Sequence, residues 1–200
     1  MKARLLSLVT AAAALVAAPV SVAQAQVETN MNGSPSRYSL ELYLSQQWAN
    51  SDATDGSDGI GGIGGRMMFG RGDATRALST FFSRARAGVF ATYFAKQGGS
   101  DLSAFHVGGQ ADFPLFAVPI NGRFDPFLSL GAGVFHTRVD GPVSGTNITS
   151  NDFALTPAAG ILIPISGAIS FRGDLRDAIV FGQGDTSNNF VLEGGISVGF

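Results

Sequence analysis

The chain has 200 residues, a formal net charge of −2, no cysteine and only 14% charged residues, against roughly a quarter in an average soluble domain. The slightly acidic balance argues against a nucleic-acid partner, which asks for a basic stripe, and the lack of cysteine excludes a disulfide framework and thiol chemistry. Glycine reaches 27 and phenylalanine 16, yet no run beyond residue 25 approaches the ~18–20 apolar residues of a transmembrane helix.

The first 25 residues read as a secretory signal peptide. Lys2 and Arg4 form a positive n-region, residues 5–20 are nearly unbroken apolar sequence, and Ala23-Gln24-Ala25 is an A-x-A cleavage site. Cleavage after Ala25 leaves 175 of the 200 residues. It also removes Lys2 and Arg4, so the 13 basic residues become 11 against 15 acidic ones, a charge of −4. The chain then divides into the signal peptide (1–25), a polar N-terminal lead (26–36) and one domain (37–200).

Eight segments of that domain have strand character. In the first, 37–48, Tyr38, Leu40, Leu42 and Leu44 alternate with Ser39, Glu41, Tyr43 and Ser45, a clean period of two. The second, 61–69, sets Ile63, Met67 and Phe69 against Arg66. The third, 84–96, sets Val89, Ala91 and Tyr93 against Arg86, Gly88 and Thr92, while Phe90 and Phe94 break the parity. The fourth, 102–113, opposes Phe105, Val107, Ala111 and Phe113 to His106, Gln110 and Asp112. The fifth, 124–138, opposes Leu128, Leu130, Ala132 and Val134 to Ser129, Gly131 and Gly133. The sixth, 153–163, opposes Leu155, Ala159, Ile161 and Ile163 to Thr156, Ala158 and Gly160. The seventh, 168–180, opposes Ile169, Phe171 and Leu175 to Ser170, Arg172, Asp174 and Arg176. The eighth, 188–200, puts Phe190, Leu192, Ile196, Val198 and Phe200 on one face and Glu193 and Ser197 on the other.

An even number of strands of this length and alternation predicts an all-β fold, an eight-stranded antiparallel up-and-down transmembrane barrel. With the N-terminus in the periplasm, the outer connections are 49–60, 97–101, 139–152 and 181–187. They hold Asp52, Asp55, Asp58, Asp101, Asp140, Asp152 and Asp185 with no Lys or Arg. The periplasmic connections are 70–83, 114–123 and 164–167, the first two long for such turns. Residues 73–83 have room for a helical turn. Two aromatic belts are expected. Tyr38, Phe69, Phe113, Phe124 and Phe200 belong to the periplasmic rim, and Trp48, Tyr93, Phe135, Phe153 and Phe190 to the outer rim.

Two stretches resemble the OmpA/OmpX-like family of small outer-membrane barrels. The ending Glu193-Gly194-Gly195-Ile196-Ser197-Val198-Gly199-Phe200 is similar to the family's assembly signal, with Glu193, Gly195, Val198 and Phe200 at the positions that signal uses. The stretch from Asp125 to Val134 looks like the family's Pro-aromatic-aliphatic run into Gly-x-Gly. The resemblance implies a bacterial outer-membrane location and a structural or surface-interaction role in envelope integrity, adhesion or evasion of host defences. It implies as partners outer-membrane lipid and lipopolysaccharide, the barrel assembly machinery with periplasmic chaperones, and a host surface ligand. Nothing after Phe200 suggests the periplasmic domain that some relatives append, so a barrel-only protein is expected. Two alternatives stay open: a small pore or carrier of small apolar molecules, as in OmpW-like barrels, and a lipid-modifying outer-membrane enzyme.

An eight-stranded barrel has room inside for side chains only, so its inward polar groups must satisfy one another. Glu41, Arg66, Arg86, Arg172, Asp174, Arg176 and Glu193 share the inward parity and are expected to form a lumen ion network. Other signals point away from chemistry. Gly59-Ile60-Gly61-Gly62-Ile63-Gly64 fits G-x-G-x-x-G but follows an acidic loop and precedes no helix, so glycines easing strand packing are expected rather than a dinucleotide site. The acids of residues 51–59 lack calcium-loop spacing, and His106 and His136 lack zinc spacing. The His-x-Ser pair of lipid A deacylase barrels is missing, since Gly108 and Arg138 stand in the third position. No cofactor, metal or catalytic residue is expected.

Overall fold

The computed structural model describes residues 38–50, 59–70, 85–95, 102–116, 119–121, 123–140, 147–182 and 186–200. The signal peptide, the N-terminal lead, the helical turn expected in 73–83 and the acids of 51–58 lie outside these residues.

Eight strands follow in chain order: β1 (Tyr38–Asn50), β2 (Ile60–Phe69), β3 (Arg86–Phe94), β4 (Leu102–Pro114), β5 (Asp125–Asp140), β6 (Asn147–Ser166), β7 (Ile169–Phe181) and β8 (Thr186–Gly199). Each pairs antiparallel with its neighbour, and β1 pairs with β8, so the sheet closes on itself as β1-β2-β3-β4-β5-β6-β7-β8. Closure removes both edges, so the strands satisfy one another's backbone groups all the way round the sheet, apart from the gap at Pro157. The seam is pinned at its end by Phe200 N donating to Tyr38 O at 2.9 Å and Tyr38 N to Phe200 O at 3.2 Å. The two rings stack there with centroids 6.0 Å apart.

The period-two pattern decides which side chains face where. Leu42, Val89, Leu130, Leu175 and Leu192, each more than half exposed, project from the outer wall. Their alternate neighbours turn inward and are buried: Ser39, Glu41, Tyr43, Ser45 and Gln47 on β1 alone. Aromatic side chains flank this apolar wall at both ends. Tyr38, Phe69, Phe124 and Phe200 lie at the end that carries β1's start, and Trp48, Tyr93, Phe153 and Phe190 lie toward the far end, all exposed.

Two expectations need correction. Phe135 does not join the far belt; it is 5% exposed and faces the lumen. Phe90 and Phe94, whose parity the sequence left open, are likewise inward and buried. Their apolar bulk fills space inside the barrel rather than contacting the outer medium. The second correction concerns length. β6 begins at Asn147, not 153, and its polar start pairs with β5 up to Asp140↔Asn147. The backbone ladder continues through a stretch whose side chains gave no apolar alternation, because ladder hydrogen bonds do not depend on side-chain polarity.

Turns follow local chemistry. Asn121, at φ 51°, occupies the left-handed region that asparagine tolerates, in a turn closed by Arg123 N to Ile120 O at 3.0 Å and Phe124 N to Ile120 O at 3.1 Å. Gly167, at φ 28°, turns the chain between β6 and β7, next to a register shift between Pro164 and Ser166. Pro157 has no N–H to give, and the paired residues of β6 and β7 skip from Leu155↔Ile179 to Ala158↔Arg176 across it.

Candidate functional site

The lumen is built in layers. Nearest the end that carries both strand termini of the seam is a charged layer drawn from six strands. β1 supplies Glu41, β2 Arg66, β3 Arg86, β4 Asp112, β7 Arg172, Asp174 and Arg176, and β8 Glu193. All but Arg86 are at most 5% exposed.

Arg66 is the hub. Its Nη1 lies 3.0 Å from Glu41 Oε2 and 3.5 Å from Asp174 Oδ2, and its Nη2 lies 2.5 Å from Glu193 Oε2. Arg172 grips Asp112 with both terminal nitrogens, at 2.5 and 3.3 Å, and Asp174 Oδ2 with Nε at 2.8 Å. Arg176 Nη2 donates to Gln110 Oε1 at 3.2 Å and Glu193 Oε2 at 3.4 Å, and its Nη1 to Thr156 Oγ1 at 3.3 Å. Arg86 Nη2 reaches Asp112 Oδ2 at 3.2 Å and Glu41 Oε1 at 3.8 Å. Ser197 Oγ donates to Glu41 Oε1 at 3.3 Å. Three guanidinium groups also lie over aromatic rings: Arg66 over Tyr43 at 4.6 Å, Arg172 over Phe127 at 4.1 Å and Arg176 over Phe90 at 5.4 Å.

These four arginines meet four carboxylates, so the layer is formally neutral. That balance makes its burial tolerable, since a charge taken from water needs both an opposite charge and hydrogen bonds. The seven residues expected from parity come together here. Asp112 was missed. Its inward position on the fourth strand was legible, but only its contacts reveal that it bridges Arg86 and Arg172. Gln110 and Thr156 extend the layer from the same inward parity.

Beyond it stand Tyr43, whose hydroxyl lies 2.8 Å from Thr92 Oγ1, and His106, whose ring meets Phe90 edge-on at 4.7 Å. Tyr43 faces Gly64 across one side of β1 and Gly195 across the other. A Cβ at Gly64 would strike the Tyr43 ring, so this glycine of the G-x-G-x-x-G run serves ring packing. Next comes an apolar layer of Phe94, Ala104, Phe135, Ala154, Ala178, Val180 and Val191. At the far end above it lies a cavity of about 220 Å³.

His106 faces inward and His136 outward, where His136 Nδ1 lies 2.8 Å from Asn151 Oδ1. The two histidines therefore share no site. Of the four residues likened to an assembly signal, Glu193 and Gly195 face the lumen, and Val198 and Phe200 are exposed on the outer wall.

Neither a protein-family model nor a curated protein matches the sequence. Solved structures do match in shape. Neisserial surface protein A (NspA) superposes with a TM-score of 0.60 at 15% identity, covering 84% of this chain and 99% of that one. Ail, the attachment invasion locus protein of Yersinia pestis, gives 0.55 at 12% identity over 84% and 100%. The N-terminal β-barrel domain of Pseudomonas aeruginosa OprF gives 0.50 at 11% identity over 82% and 99%. The fold is that of the small outer-membrane β-barrels. The likeness read from the last strand thus holds for the architecture as a whole. In this outer-membrane-type barrel the charged and apolar layers close the interior below the far-end cavity.

Proposed function

We propose that the protein is an integral outer-membrane barrel with a structural and surface-interaction role, closed to conduction and not an enzyme. The observation that carries this reading is the combination of an apolar, aromatic-flanked outer wall with a lumen filled by two side-chain layers. The wall suits a bilayer. The filled lumen leaves the far-end rim and loops as the parts that meet other molecules. In this reading residues 1–25 direct export and are removed after Ala25. The seam end with both strand termini faces the periplasm, and Glu193, Gly195, Val198 and Phe200 are read by the assembly machinery.

The structural relatives support surface contact for this fold. Ail has been crystallised with the heparin analogue sucrose octasulfate. In the present chain the outer connections carry aspartates, which favour a cationic host ligand over a sulfated one. Outer-membrane lipid and lipopolysaccharide are the partners of the wall.

The test is fractionation of the expressing cell followed by gel migration with and without boiling. The protein is expected in the outer-membrane fraction, with faster migration unboiled. Recovery from the soluble fraction overturns the proposal. In planar bilayers the purified barrel is expected to give no steady unit conductance; regular openings would refute the closed lumen.

A further inference from the structure

The far-end cavity has a composition of its own. Its volume is about 220 Å³, room for a small organic molecule. Ile60, Leu102, Phe135 and Val180 give it an apolar floor, continuous with the layer that closes the lumen below. Among the described residues its wall carries a single charge. Asp152 lines it from β6 and stands directly opposite Phe135 of β5 in the sheet register. No Lys, Arg or His lines it among the described residues. Ser150 Oγ donates to Asp152 Oδ2 and fixes the carboxylate's orientation.

A second observation points the same way. Gln47 of β1 lines this cavity and is only 3% exposed, and its Oε1 has no hydrogen-bond partner. A buried acceptor without a donor is costly, and rotation of this side chain within the cavity wall would turn it toward a ligand. Among the described residues the site therefore offers a carboxylate and, on rotation of Gln47, an amide acceptor above an aromatic, apolar floor, with no cationic group. A phosphate, sulfate or carboxylate ligand would meet Asp152 without a counter-charge. A ligand that brings N–H donors and positive charge on a small apolar body meets every feature present.

We infer that this cavity binds a small organic cation: a primary ammonium on a short aromatic or aliphatic body. The ammonium sits on Asp152, the Gln47 side chain turns its Oε1 to it as the second acceptor, and the body lies on Phe135. This goes beyond the structural and surface role. Only the side from which the ligand enters depends on the proposed orientation, so binding is measured on the purified folded barrel in detergent micelles.

2-Phenylethylammonium is titrated against backbone amide shifts, with its uncharged analogue 2-phenylethanol in parallel and empty micelles as blank. Saturable shifts are expected at Gln47, Phe135 and Asp152, with the alcohol binding at least about tenfold more weakly. Asp152→Asn is expected to weaken the cation by about tenfold or more and to leave the alcohol unchanged. Thr137→Trp, which fills the cavity from its lining, is expected to remove both. Folding of each variant is checked by unboiled gel migration, and the comparison of cation with alcohol on the unaltered protein stands without any variant. Equal affinity for the two probes, no saturable shift at the cavity, or an unchanged cation affinity in folded Asp152→Asn each overturns the inference.

Discussion

Glu193→Gln tests the charged layer most directly, because it removes one of its four carboxylates with almost no change in volume. Glu193 Oε2 lies 2.5 Å from Arg66 Nη2 and 3.4 Å from Arg176 Nη2. At an effective dielectric of about 20 these contacts attract by roughly 7 and 5 kcal/mol. Desolvation of the carboxylate and its repulsion by Asp174 cancel much of that. What remains on losing one partner of a buried network is about 3–5 kcal/mol, because the layer's four arginines then share three carboxylates. The assay is urea unfolding of the folded barrel in micelles, followed by fluorescence of Trp48, the sole tryptophan, and by gel migration. Unfolding from the folded state keeps any effect of Glu193 on cellular assembly out of the measurement. Pairing Glu193→Gln with Arg176→Gln restores neutrality, so the double variant is expected to lose about 2 kcal/mol less than the sum of the singles. A loss under about 0.5 kcal/mol for Glu193→Gln, or strict additivity in the double variant, would refute the idea that charge balance stabilises the lumen.

Deleting Phe200 removes two seam hydrogen bonds and a stacked ring, a cost of about 1–3 kcal/mol in unfolding of preformed barrel. Its expected effect on assembly in cells, read as the folded fraction in outer membranes, is much larger; equal effects would remove Phe200 from the assembly signal. Gly64→Ala drives a Cβ into the Tyr43 ring and is expected to cost about 1–3 kcal/mol. Gly65→Ala meets nothing closer than 3.7 Å and is expected to be neutral or stabilising by up to about 1 kcal/mol. Urea midpoints for the pair that coincide would refute this packing account. Leu42→Arg, in the middle of the outer wall, is expected to cost about 2–4 kcal/mol in a bilayer, whereas Ile148→Arg near the far edge costs about 0–1. Equal losses would mean that the wall does not face hydrocarbon.

The barrel was legible because inward and outward positions alternate, and polar residues such as Glu41, Ser45, Arg172 and Asp174 mark the inward face at once. Phe90, Phe94 and Phe135 obscured it, since an aromatic ring suits either a bilayer interface or a filled lumen and parity within one strand does not choose. The polar start of β6 hid its length for the converse reason: backbone pairing persists where side chains carry no alternation. The charged layer was legible as a set of residue types with shared parity. Which acid meets which arginine depends on strand stagger, and so Asp112 was passed over although it stood on the inward face. The far-end cavity left no trace in the sequence. Gln47, Phe135 and Asp152 come from three strands, and only the closed sheet brings them to one opening.

The two glycines beside Tyr43 have a consequence for how the ends of the sheet find each other. A slip of two residues between β1 and β8 would keep inward residues inward, so polarity alone does not forbid it. Such a slip would set Ser197 or Glu193 where Gly195 now faces Tyr43. A Cβ at that position already collides with Leu42 O and the Cα and Cβ of Tyr43. The same slip would carry Glu193 along the seam by about 7 Å, out of reach of Arg66. The joint is thus keyed twice, by shape at Gly195 and by charge at Glu193, and a misaligned closure meets a steric stop and a stranded carboxylate together.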